Sequence, residues 1–136
     1  MPNAYQQPVI AIDGTSASGK STLSAEIARA YGARRLEYSL FFRLIALHML
    51  GQGFDPSAQT PPTPDQIHEA ARYAGTLTSW ETIEALQKDH KDELRSIAVS
   101  QTAPYFSGLR AVLDGTDATF RTLINASRTP VVAEGR

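Results

Sequence analysis

Val9-Ile10-Ala11-Ile12-Asp13-Gly14-Thr15-Ser16-Ala17-Ser18-Gly19-Lys20-Ser21-Thr22-Leu23 is the stretch that decides the fold of this 136-residue chain. Its first part, Val9 to Ile12, is short, apolar and partly β-branched, as expected of a strand buried on both faces of a parallel sheet. The next part matches G-x-x-x-x-G-K-[ST], and each fixed position has a physical task. Gly14 and Gly19 let the backbone turn without a Cβ, so that successive N–H groups face inward and form a nest for anions. Lys20 brings a mobile ammonium to β- and γ-phosphates, Ser21 a hydroxyl for magnesium, and the helix that follows points its positive end at the same charge. The segment Gly14, Thr15, Ser16, Ala17, Ser18, Gly19, Lys20, Ser21, Thr22 is therefore expected to hold a nucleoside triphosphate, ATP with Mg2+.

Working outward, Leu23, Ile27 and Tyr31 recur at helical spacing from Ser21 to Tyr31, and Gly32 stands where a left-handed C-terminal cap belongs. Ala33 to Glu37 reads as a second short strand. Leu40, Leu44 and Leu47 mark a helix from Leu40 to Leu50, stopped by Gly51 and Gly53. The unit is β-α-β-α, and the fold class α/β. Phe54 to Pro64, with four prolines, reads as a surface loop. Thr63, Pro64 and Gln66 supply an N-cap, a first-turn proline and a capping-box partner for a helix closed by Gly75. Thr78 with Glu81 signals another helix, through about Leu94, with Trp80, Ile83, Leu86 and Leu94 on its apolar side. Arg95 to Ser127 is ambiguous from its residues alone, because Ile97 to Val99 and Ala111 to Leu113 suit strands as well as helices. Pro130 introduces Val131, Val132 and Ala133, a further buried-strand candidate.

Composition narrows the function classes. The net charge of −1 and pI near 6.3 arise without long like-charge runs, so no nucleic-acid-binding face is advertised. The absence of cysteine excludes disulfides, thiolate zinc sites and a cysteine nucleophile, and suits a reducing cytosol. No apolar run is long enough to span a membrane, and Met1 to Gln7 lacks the pattern of a signal peptide. His48, His68 and His90 fall one per helical segment and are expected as ordinary surface or satisfied histidines. Trp80, Phe106 and Phe120 are expected to cover the core, because no basic stripe accompanies them as base-stacking platforms.

A phosphoryl-transfer site also needs arginines that position the acceptor and neutralise developing charge. Arg43 lies in the first turn of the helix after the second strand, a part of an open α/β sheet that ends near the phosphate crevice. At this point the residues resemble the bacterial cytidylate kinases, which are P-loop nucleoside monophosphate kinases. Val9 to Leu23 is similar to that family's opening strand and loop almost residue for residue. Leu36-Glu37-Tyr38-Ser39-Leu40-Phe41-Phe42-Arg43 is similar to its monophosphate-binding segment L-D-[ST]-G-x-x-Y-R. Leu36 and Arg43 match, Glu37 keeps the carboxylate one methylene longer, and Tyr38, Ser39 and Phe42 depart from the family pattern. A missing tyrosine hydroxyl at position 42 would cost about 0.5–1.5 kcal/mol net. Leu94 to Ser100 resembles I-R-T-x-x-V-S, and Leu109-Arg110 the V-R pair that begins the next helix. The resemblance thus resolves 95–127 toward helices, the second of them interrupted at Gly115. Val131 to Arg136 looks like the start of the family's strand and G-R-D signature.

The resemblance implies transfer of the γ-phosphoryl of ATP to CMP or dCMP. Lys20 and the loop amides would hold the transferring group, Ser21 the Mg2+, and Arg43, Arg95, Arg110 and Arg136 the acceptor, beside Glu37, Tyr38 and Phe42. It implies a P-loop core from 1–39 and 128–136 and an inserted, mainly helical acceptor segment from 40–127. The match covers roughly the first three-fifths of a family member and stops before the lid arginines and the last two strands. That suggests a truncated product, with Val9 to Ile12 as an edge open to self-association, ATP binding and little turnover. A P-loop kinase of another small acceptor and an ATP-binding protein without turnover are the rival readings.

Overall fold

The computed structural model describes residues 7–13 and 19–135, and within them the chain forms an α/β structure of two compact units. One unit takes the segments up to Ser39 and from Arg121 onward, and the other runs from Leu40 to Phe120. The sequence had placed the second crossing at 127/128, whereas the compact units divide within a long final helix.

The first unit holds a three-stranded parallel sheet. Its strands are β1 (Val9–Ile12), β2 (Arg34–Glu37) and β3 (Val131–Glu134), in the order β1-β3-β2. The last strand in sequence is thus the central one. Ile12 lies in register with Glu134, and Glu134 in turn with Glu37. The helix α1 (Lys20–Tyr31) packs on this sheet through a small core of Ile12, Ala28 and Val132, with Ile10, Ile27 and Ala33 partly buried against it. Gly32 ends α1 in the left-handed conformation, as its position after the apolar pattern implied. Two expectations fail here. β1 is the edge that the resemblance implied, with β3 its one neighbour among the described strands, but the burial on both faces expected of its apolar run is not found, since Val9 and Ala11 are exposed and only Ile12 is buried. The helical stripe is also only partly covered, for Ile27 packs inward while Leu23 and Tyr31 are exposed.

The second unit is helical. It comprises α2 (Tyr38–Gly51, beginning directly after β2), α3 (Pro64–Ala74), α4 (Trp80–Asp89), α5 (Ile97–Ser107) and most of α6 (Arg110–Ala126), with short 3-10 turns at Pro56–Ala58 and Glu93–Arg95. α2 buries Phe41, Phe42, Leu44, Ile45, Ala46 and Met49, a far wider apolar face than the leucine stripe alone indicated. Phe54 meets Phe106 edge-on at 5.0 Å, and Phe41 meets Phe120 at 4.7 Å, in the geometry that aromatic quadrupoles favour. Phe106 and Phe120 are therefore core residues, and Trp80 is half-buried.

Local signals hold where geometry is local. Thr63 Oγ1 accepts from the Gln66 N–H, and Gln66 Oε1 accepts from the Thr63 N–H, completing the capping box. The next helix differs from expectation. Ser79, not Thr78, caps α4 by accepting from the Thr82 N–H, and α4 ends at Asp89 before the turn at Glu93–Arg95. Two adjacent hydroxyl residues made the cap ambiguous by one position. The stretch after Arg95 is helical as the resemblance implied, but Gly115 does not break α6. A Cβ there would come within 3.2 Å of the Ala71 carbonyl oxygen, so the missing side chain lets α6 approach α3 closely. Thr119 seals the same contact by donating to the Ala74 carbonyl at 2.8 Å. No helix among the described residues is long and apolar enough to cross a membrane.

Candidate functional site

The phosphate-loop residues Gly14 to Ser18 lie outside the described residues, as does Arg136. What flanks the loop is defined. β1 delivers the chain to Asp13 at the carboxyl end of the sheet, the end at which open α/β sheets bind ligands. The chain re-emerges at Gly19, whose φ of 79° is left-handed and suits glycine, and α1 begins at Lys20. Among the described residues no side chain caps this helix start, and no acidic residue lies in its first turn. The positive end of a 12-residue helix is thus left for an anion to satisfy. That fits a polyphosphate. Thr22 lies exposed in the first turn of α1.

A polar network stands at the same end of the sheet. Glu134, the last residue of β3, is 6 % exposed and its Oε2 accepts from the buried Ser24 hydroxyl of α1 at 3.0 Å. The Arg35 guanidinium donates through Nε to Ser24 Oγ at 3.0 Å and through Nη2 to Glu134 Oε2 at 3.3 Å. The same Nη2 lies 3.3 Å from Glu37 Oε1. Of the predicted site residues, the structure thus brings Glu37 into one cluster with Glu134. Ser24, Arg35 and Glu134 were not singled out from the sequence. One signal was available, a serine one helical turn beyond Ser21 on the same face of α1.

The remaining acceptor candidates belong to helical elements. Tyr38 is the half-buried first residue of α2, Phe42 is buried, and Arg43 is half-buried in the helix's second turn. Arg95 is exposed at the end of the 3-10 turn before α5. Arg110 opens α6 with its side chain 87 % exposed, and its contact with Asp114 is a loose 3.9 Å. At that distance and exposure the pair contributes little, so the guanidinium remains a donor that an anion can engage.

A second charged cluster, within the helical unit, has another character. His48 Nε2 lies 2.6 Å from Glu69 Oε2, Arg72 donates to both oxygens of Glu69, and the His48 ring stacks on Tyr73 at 4.0 Å. The hydrogen bonds from Arg72, then that with His48, lower the Glu69 pKa from 4.5 to about 2, while burial raises that of Tyr73. His90 pairs likewise with Glu93 at 2.7 Å. These two histidines are satisfied by carboxylates that the sequence reading had not paired with them. No group of three or more potential metal ligands occurs among the described residues.

Comparison with known proteins decides the family. Residues 10–136 match the family model for cytidylate kinase. The chain belongs to the cytidylate kinase family. The cytidylate kinase of Rhodococcus opacus is 33 % identical over 133 residues, covering 94 % of this chain and 55 % of the relative. That of Nitrosomonas europaea is 32 % identical over 117 residues, covering 84 % and 50 %. A shorter stretch of 49 residues is 45 % identical to the cytidylate kinase of Corynebacterium efficiens. The chain spans about half the length of the curated relatives it matches. Membership agrees with the parallel sheet, the strand-loop-helix opening and the helical segment between β2 and β3.

Proposed function

We propose that this polypeptide carries the ATP- and acceptor-binding parts of a kinase that transfers the γ-phosphoryl of ATP to CMP or dCMP. The observation that carries the reading is the uncapped start of α1 at Gly19-Lys20, placed by β1 at the carboxyl end of a parallel sheet, in a chain matching the cytidylate kinase model from residue 10 onward. ATP would supply the phosphoryl group, and Mg2+ held at Ser21 would supply positive charge against the polyphosphate. The residues that fit this load are those of the loop. The amides of Ser16 to Ser21 would donate to phosphate oxygens, Lys20 would follow the charge of the transferring group, and Ser21 would provide the hydroxyl for the ion. Glycine at positions 14 and 19 would let the backbone approach the phosphates without a Cβ.

Arg43, Arg95, Arg110 and Arg136 serve the acceptor monophosphate, beside Glu37 and Tyr38 where β2 meets α2 and Phe42 in the second turn of α2. Transfer through a loose transition state depends on position and charge, so no general base is needed. The test is titration of the protein with CMP and with a non-hydrolysable ATP analogue in the presence of Mg2+, followed by an assay of CMP-dependent ADP release. Arg110→Ala is expected to weaken CMP binding roughly tenfold or more, the range for a lost charge-assisted hydrogen bond, while the ATP analogue binds as before. CMP binding unaffected by Arg110→Ala would remove that residue from the acceptor site.

A further inference from the structure

We infer that Arg35 is a positioning residue that couples occupancy of the phosphate loop to occupancy of the acceptor site, an inference that rests on the kinase reading above. Its guanidinium joins three elements of the sheet unit. It reaches Ser24 in α1, Glu134 at the end of β3 and Glu37 at the end of β2, at 3.0, 3.3 and 3.3 Å. The two carboxylates stand in register on neighbouring strands, and Ser24 donates to the same Glu134 oxygen that Arg35 approaches. A buried carboxylate needs charge compensation, and the Arg35 guanidinium contributes it beside the Ser24 hydroxyl. Its planar fork also fixes direction in a way that an ammonium would not.

The positions at the ends of this network give it a consequence for binding. Ser24 follows Ser21 by one turn of α1, so the helix start that meets phosphate and the serine held by Arg35 move as one rigid segment. On the other side, Glu37 is followed without a loop by Tyr38, the first residue of α2, whose second turn carries Arg43. A displacement of the β2 end on acceptor binding is therefore felt at α1 through Arg35, and the reverse holds by thermodynamic linkage. Arg35 need touch neither ligand.

The experiment measures affinity for a non-hydrolysable ATP analogue with Mg2+, with and without saturating CMP, in the wild type, Arg35→Met and Arg35→Lys. Arg35→Lys keeps a cation beside Glu134 and serves as the variant that remains folded if Arg35→Met does not, as checked by circular dichroism. In the wild type, CMP is expected to tighten the analogue by at least about fivefold, the low end of ordinary site coupling. In Arg35→Lys the coupling should fall below about twofold, while each ligand alone binds within about threefold of the wild type, because the lysine cannot engage Ser24 and both carboxylates together. A merely structural role would lower both single-ligand affinities and leave the coupling ratio intact. That result, or full coupling in Arg35→Lys, overturns the inference. Binding of both ligands to the wild type without coupling overturns it alone, whereas a wild type that binds neither ligand overturns the kinase reading as well.

Discussion

The two compact units are built on opposite economies of burial and charge. The helical unit, Leu40 to Phe120, holds an apolar interior in which Phe41, Ile45, Ala46, Ala70, Ala74, Val99, Phe106 and Val112 are all inaccessible. The sheet unit clusters Ile12, Ala28 and Val132 and also buries Leu36, Leu123 and Val131, but leaves Val9, Leu23 and Tyr31 43 %, 49 % and 66 % exposed, and devotes buried volume to a carboxylate, Glu134. Apolar area removed from water stabilises at about 25 cal/mol per Å2, so the helical unit has much the larger share of that term. The sheet unit instead gathers Ser24, Arg35, Glu37 and Glu134 at the carboxyl ends of its strands, the end at which open α/β sheets bind ligands. Stability and chemistry are thus unevenly divided between the two.

Substitutions can break this contrast. The largest effect is expected for Phe106→Ala, which removes a fully buried ring contacting Phe54 and should cost about 3–5 kcal/mol in denaturant unfolding. Val9→Ala, on the exposed edge strand, should change stability by no more than about 0.5 kcal/mol. Equal costs would erase the distinction. Next comes Gly115→Val, which drives a branched side chain against the Ala71 carbonyl and should cost about 1–3 kcal/mol. A neutral result would show that α3 and α6 separate freely. Thr63→Ala deletes one half of the capping box and should lower stability by about 1 kcal/mol.

The smallest effect is the acid dependence contributed by Glu69. Its folded pKa of about 2 lies below the ordinary 4.5, so its stabilisation is fully present above pH 4.5 and is lost as pH falls from there through about 2. The melting-temperature gap between the wild type and Glu69→Gln should therefore be widest near neutrality and close across that window. A gap that widens on acidification would reverse the sign of the argument.

What the sequence disclosed, and what it hid, follows from sequence separation. The strand and helix on either side of Gly14 to Ser18, the left-handed end of α1 at Gly32 and the Thr63–Gln66 box depend on residues within a few positions of one another, and all were legible. The Ser24–Glu134 bond spans 110 positions and Arg35–Glu134 spans 99, so no periodicity could announce them. His48 and Glu69, 21 positions apart on different helices, were hidden for the same reason. Gly115 misled because a glycine in a helix reads as a break, and its reason lies on another helix, at Ala71. Burial was misjudged in β1 because which faces of a strand are covered depends on elements distant in sequence, and an apolar run does not report them.

Whether the segment Gly14 to Thr22 holds the polyphosphate of ATP is read by calorimetric titration of the wild type and Lys20→Ala with a non-hydrolysable ATP analogue and Mg2+. The wild type should bind saturably and Lys20→Ala with affinity lowered by roughly tenfold or more, the range for loss of a charge-assisted contact, at an unchanged melting temperature. Equal affinity in a folded Lys20→Ala protein would contradict that role for the segment.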